Sequence, residues 1–268
     1  MAPFLTHLVI GERVWNALDR QGPAQDRYGT FLFGCLAPDM DKLCDGLEQS
    51  TTHFVGKDEA GTYAWRRSQH FLDHQQDFLR APFTALDAGE QSFVLGYLCH
   101  VATDEATARF AMEQRDQLAI AAMALPSVDA VLTAMDPRFW AMTTDPESIV
   151  AALETVVIPD GTFVFAPQAC LDAMRQVVVP QVREGGGLVP YLNMVRRQRQ
   201  WVRHGQVSDA ADDPVLEEEL AVYRRQIEAG LPASEQLIET MELESFVNQA
   251  AHYSLQRLHS LLAEEGIQ

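Results

Sequence analysis

The chain is predicted to be all-α, a multi-helix single domain over residues 1–268, and three observations predict it. Apolar residues recur at helical spacing, as at Leu8, Val9, Val14, Ala17 and Leu18 between His7 and Asp19. Aspartate stands before proline at Asp145-Pro146-Glu147 and Asp213-Pro214, which puts a capping side chain just ahead of a residue suited to the first helical turn. The run from Phe93 to Ala102 is apolar almost without interruption, the mark of a helix buried on nearly every side. With 268 residues, 47% of them hydrophobic, the chain can bury one sizeable core.

In chain order, the first helix runs from His7 to Asp19 and is ended by Gly22-Pro23. A short apolar segment, Thr30 to Leu36, is closed by Pro38, so Asp39 falls at a turn or helix end. Long helices are expected over 63–79 and 88–118, further ones from Pro146 and Pro214, and a last one over 235–264 with a break near Glu244-Ser245. One small β-hairpin is expected where Val156-Val157-Ile158 and Phe163-Val164-Phe165 flank Pro159-Asp160-Gly161. Gly185-Gly186-Gly187 marks a loop and, lacking a preceding strand, is a poor phosphate cradle. Residues 1–120 read as the half that carries the chemistry, and 121–268 as a helical extension packed on it.

A formal charge of −18 argues against a nucleic-acid partner and against electrostatic docking on anionic lipid. No basic and apolar leader opens the sequence and no stretch approaches 18 apolar residues, so neither secretion nor a membrane span is expected and a cytoplasmic location is. Cys35, Cys44, Cys99 and Cys170 form no close Cys-x-x-Cys pair and read as small buried thiols in a reduced compartment.

The chemistry concentrates in Gly96-Tyr97-Leu98-Cys99-His100-Val101-Ala102-Thr103-Asp104. A histidine and an acid four apart share one helix face, and a carboxylate in so apolar a helix is costly unless paired, hydrogen-bonded or metal-bound. Imidazole nitrogen and carboxylate oxygen at that spacing can close on one zinc-like ion, with Gly96 leaving room for something bulky one turn earlier. Further ligands of the right type stand at His7, at Asp39 in Gly34-Cys35-Leu36-Ala37-Pro38-Asp39, and at His53 in Thr52-His53-Phe54. His7, Asp39, His53, His100 and Asp104 form an N/O set suited to zinc and also to iron or manganese. Asp41 and Asp45 are nearby alternatives to Asp39.

The order of an early histidine, Gly-x-x-Ala-Pro-Asp, Thr-His-Phe and Gly-Tyr-Leu-x-His-x-x-x-Asp resembles the zinc-dependent phospholipase C family over about the first 110 residues. The resemblance implies a helical fold of phospholipase C/P1 nuclease type. It implies one zinc on Asp39, His53, His100 and Asp104, and a neighbouring ion shared by Asp104 and His7. It implies hydrolysis of a phosphoester, a phosphodiester or lipid headgroup ester. In a metal-assisted hydrolysis of that kind Asp39 is the expected base. The chain departs from the pattern in two places. It begins Met1-Ala2-Pro3-Phe4 rather than with tryptophan, and it lacks the His-x-x-x-Glu of a third site, since Ser208, Gln256 and Ala263 follow His204, His252 and His259 at that spacing. The alternative reading is therefore a catalytically silent helical protein that keeps a reduced metal or ligand site.

Duller roles are expected elsewhere. His70 and His74 share a face but lie among Arg66, Arg67, Gln75 and Gln76, which reads as solvated, and His252 and His259 share a polar face of the last helix. The cluster from Arg196 to Arg203 reads as a salt-bridged surface helix.

Overall fold

The computed structural model describes residues 4–18, 27–55, 67–113, 128–207 and 213–266. Among them the fold is helical throughout: α1 (Phe4–Ala17), α2 (Tyr28–Gly34), a 3-10 turn (Ala37–Lys42), α3 (Gln49–Thr52), α4 (Arg67–Asp73), α5 (Gln75–Phe78) and α6 (Ala88–Glu113) make the first part. A second set follows as α7 (Val128–Trp140), α8 (Pro146–Glu154), α9 (Gln168–Glu184), α10 (Leu188–His204), α11 (Pro214–Glu239) and α12 (Leu243–Glu264). The expected caps are in place, with Asp145 accepting from the Ser148 amide at 3.0 Å and Asp213 from that of Leu216 at 2.9 Å.

Several expectations are corrected. The break expected near Glu244-Ser245 in a last helix over 235–264 lies at 240–242 instead, and residues 235–239 close α11. The helix expected over 63–79 is interrupted at His74, between α4 and α5, and its first residues lie outside those described. No hairpin forms at 156–165 among the described residues: Phe163 makes an isolated antiparallel bridge with Leu79 instead. Arg80 donates to Thr162 O at 3.1 Å and Val164 to Phe78 O at 2.9 Å, because Phe163 turns into the core against Tyr97 at 4.4 Å. Nor are all four cysteines thiols. Cys44 and Cys170 form a disulfide across 126 residues, while Cys35 and Cys99 are free and buried.

Closing so long a loop removes much entropy from the unfolded chain, about 2–5 kcal/mol of stability on the chain-entropy estimate. Reduction, or Cys170→Ser, is expected to lower the free energy of unfolding by that amount, measured by urea denaturation with and without reductant. Identical curves would show that the bond leaves stability unchanged.

α6 is the axis of the arrangement and packs against α1, α2, α4 and α12. α1 is enclosed in turn by α2, α6, α7 and α12, and Leu5, Leu8, Val9, Ile10 and Val14 are fully buried. Gly96 does not make room for a ligand, as the sequence suggested. A Cβ there would meet Phe31 O at 2.0 Å, and one on Gly34 would meet Phe93 O at 2.4 Å, so the two glycines let the backbones of α2 and α6 touch.

Candidate metal centre

That backbone contact brings the end of α2 to His100. Its Nδ1 lies 2.7 Å from the carbonyl oxygen of Cys35, and since a carbonyl only accepts, Nδ1 carries the hydrogen and Nε2 presents its lone pair. Asp39 sits on the 3-10 turn begun by Ala37-Pro38, which Cys35 and Leu36 link to the end of α2. His53 caps the end of α3, with Nδ1 2.8 Å from Thr52 Oγ1. The next residue, Phe54, takes a left-handed backbone at φ 50°, unusual for an aromatic side chain. Its ring is held by Phe78 at 4.6 Å, Phe71 at 4.7 Å and Tyr97 at 5.4 Å, and Tyr97 Oη donates to Thr52 O at 2.7 Å. The turn carrying His53 is thereby fastened to α6.

His7, Asp39, His53, His100 and Asp104 thus converge from separate segments, all between 0% and 5% exposed. His53 Nε2 lies 3.5 Å from Asp39 Oδ1 and 3.7 Å from Asp104 Oδ2, and His7 Nε2 lies 3.8 Å from Asp104 Oδ1. Ligand atoms on a tetrahedral ion with bonds of about 2 Å stand roughly 3.3–3.5 Å apart, so these separations suit one with small adjustments. The rings of His7 and His100 stack at 3.7 Å with 5° between their planes. Ligand atoms of His7, Asp39 and His100, and again of His53, His100 and Asp104, lie within 4.8 Å of one another.

Burial disfavours charge on His7, and the neighbouring His100 adds to this, holding its pKa well below the ordinary value. Burial pushes His100 down to about 4 against the opposing pull of Asp39 and Asp104. Both rings are neutral near pH 7, the form that ligates metal. Burial alone would raise Asp39, but Lys42 above all, together with the adjacent rings of His53 and His100, outweighs it and holds that carboxyl well below the usual range. Asp104 is likewise lowered despite burial, chiefly by His100 and His7. Two buried carboxylates therefore face imidazole nitrogens that find no hydrogen-bond partner among the described residues: both of His7, and Nε2 of His53 and of His100. Such atoms are normally satisfied, and a cation among them would satisfy Nε2 of His53, Nε2 of His100 and one nitrogen of His7, whose other nitrogen carries the hydrogen.

Two cations were missed in the sequence. Lys42 Nζ lies 2.6 Å from Asp39 Oδ1, and Arg67 Nη1 lies 3.4 Å from Asp104 Oδ2. Lys42, three residues past Asp39 in a helical turn, was legible from spacing; Arg67, 37 residues before Asp104, was not. His70 and His74 pack on each other at 4.5 Å and belong to neither ligand group, His252 and His259 are exposed, and Arg196, Arg199 and Arg203 pair with Glu217, Glu219 and Asp213.

Fold and site together define an all-helical protein with a buried, preassembled histidine and carboxylate cluster of metal-ligand type. Residues 6–107, the segment that contains the whole cluster, match the family described as zinc dependent phospholipase C, which bears out the resemblance read from the motifs over that segment. No curated protein and no solved structure matches the chain.

Proposed function

We propose that the protein is a zinc-dependent phosphoester hydrolase of phospholipase C-like type, acting on a phosphodiester such as a lipid headgroup ester. The observation that carries this reading is the set of buried ring nitrogens without hydrogen-bond partners, turned toward two buried carboxylates. The donors fit zinc in type and separation, with iron or manganese also compatible. His53, His100 and Asp104 would hold the ion in one seat, and His7, Asp39 and His100 in the other. His100 has one free nitrogen, Nε2, and both ligand groups require it, which favours one ion in alternative seats over two. When bound, the ion supplies Lewis-acid polarisation of the phosphoryl group and of water.

The chain's own residues divide the remaining work. Cys35 O and Thr52 Oγ1 fix the planes of His100 and His53. Asp39 stays ionised and orients the attacking water; held so far below the usual range, it is a weak proton acceptor and can act only on water already made acidic. Burial of the cluster keeps bulk water out and strengthens each charge interaction inside it. The overall charge of −18 favours a small phosphoester over a nucleic acid. Among the described residues no helix is long and apolar enough to cross a membrane. The Cys44–Cys170 bond supports an oxidising compartment over the cytoplasmic location expected from sequence.

The missing His-x-x-x-Glu favours the second reading, a metal-binding protein without turnover. Elemental analysis of untreated protein and hydrolysis of a bis-aryl phosphate decide between them. The expected result is about one zinc per chain, turnover abolished by chelator, and loss of both metal and turnover in His100→Ala. Zinc without turnover of any phosphoester would establish the silent reading; absence of metal would reject both.

A further inference from the structure

We propose that Lys42 and Arg67 form a phosphoryl clamp, two side chains that leave the site's carboxylates and take the substrate's phosphoryl oxygens when the metal is in place. The inference rests on the hydrolase reading above and identifies which residues of this chain grip the anion. The candidate ligands are at most 5% exposed, whereas Lys42 is 21% and Arg67 is 17% exposed, so each spans from solvent to a buried carboxylate. Anything reaching the cluster along either side chain meets a cation first.

The two cations stand on different carboxylates, Lys42 on Asp39 and Arg67 on Asp104. A divalent ion in either seat would bring two positive charges to a cluster that holds two carboxylates, and both side chains would then be left with charge to spare beside an incoming anion. Arg67 also keeps a donor in reserve, since its buried Nε has no hydrogen-bond partner among the described residues. It is held in position from behind. The carboxylate of Glu105 accepts from Ser68 N and Ser68 Oγ, both at 2.8 Å, and from Tyr253 Oη at 2.6 Å, which ties the start of α4 to α6 and α12.

Lys42 also faces space. Its side chain lines a cavity of about 390 Å³ whose walls include Phe4, Leu132, Met194 and Tyr223, and its ammonium lies 5.0 Å over the Phe4 ring. A ligand whose phosphoryl group reached Lys42 would have this largely apolar cavity for its organic part. The ligand class is therefore an organic phosphate with an apolar body, gripped at the phosphoryl group by one primary ammonium and one guanidinium.

The test uses inorganic phosphate as probe, titrated calorimetrically into zinc-loaded protein, with zinc content and melting temperature measured on each sample. Lys42→Met and Arg67→Met are expected to retain zinc and to bind phosphate about tenfold or more weakly, the loss that follows removal of one charge-assisted hydrogen bond. Lys42→Arg should keep most of the affinity. Unchanged phosphate affinity in zinc-retaining variants would overturn the clamp, as would loss of zinc from them, which would make the two cations supports for the ligands. Wild type that binds zinc but no phosphate would also overturn it. If Lys42→Met shows no cooperative melt, Arg67→Met and Lys42→Arg decide the matter on the same criteria. Wild type without zinc would sink the hydrolase reading and the clamp with it, whereas zinc-loaded wild type whose phosphate affinity the methionine variants leave unchanged would sink the clamp alone.

Discussion

Gly96→Ala is expected to cost the protein about 3–5 kcal/mol, enough to unfold much of a marginally stable domain. The sign is the informative part. Within a helix, alanine is favoured over glycine by about 1 kcal/mol, so an exposed position would gain stability from the same change. At Gly96 the added carbon meets Phe31 O at 2.0 Å, a backbone atom with no rotamer to escape into, and α2 would have to retreat from α6. Retreat would also draw Cys35 O away from His100 Nδ1. Thermal and urea melts followed by circular dichroism at 222 nm measure the loss. A melting temperature equal to or above that of wild type would refute the described contact between the two backbones.

Asp136→Asn should raise stability at pH 8 and change it little at pH 4. Asp136 is 2% exposed, and burial pushes its carboxyl up to about 7 against a hydrogen bond from the Leu5 amide. A folded pKa above the unfolded one means that the unfolded chain releases its proton first. Wild type accordingly loses stability as pH rises from about 4 to about 7, by on the order of 4 kcal/mol at most. Asparagine avoids the charge and keeps the acceptor for Leu5. It also adds a donor, and Gln181 can use one: Gln181 Nε2 donates to Asp136 Oδ2 at 3.4 Å while Gln181 Oε1 is buried without a hydrogen-bond partner. After a turn of the glutamine amide, the NH₂ group of the substituted side chain can donate to Gln181 Oε1. Chemical denaturation of both proteins at pH 4, 6 and 8 provides the comparison. A difference that does not grow with pH would show that the carboxyl ionises without penalty in the folded state.

Much of this was legible in the residues, for reasons that explain the remainder. Helix starts at Pro146 and Pro214 depend on neighbours three residues away, so the sequence announces them directly. The pairing of His100 with Asp104 is equally local. The contribution of His53 depends on Phe54 entering an aromatic cluster assembled from 71, 78 and 97, which no local pattern encodes. The hairpin expected at 156–165 failed because Phe163 gains more by burial against Tyr97 than from a turn with its own neighbours. Gly96 misled for a related reason: a glycine in an apolar helix can admit a ligand or another backbone, and only the partner's position tells which. The Cys44–Cys170 bond joins positions 126 residues apart, beyond what spacing can reveal.

The enclosure of α1 has a consequence for how the protein is made. This helix is synthesised before the other helices described, carrying Leu5, Leu8, Val9, Ile10 and Val14 on several faces, yet α6, α7 and α12, which cover it, are synthesised later, and α12 ends only at Glu264. At about 5–20 residues per second, α1 waits on the order of 10–50 s for its last cover. During that interval its apolar surface is available to chaperones and to other nascent chains, and α2 is the one neighbour that arrives quickly. A helix covered by elements so much later in the sequence therefore postpones completion of the core until α12 has emerged, and expression yield should depend on how fast, and beside what helpers, the protein is translated.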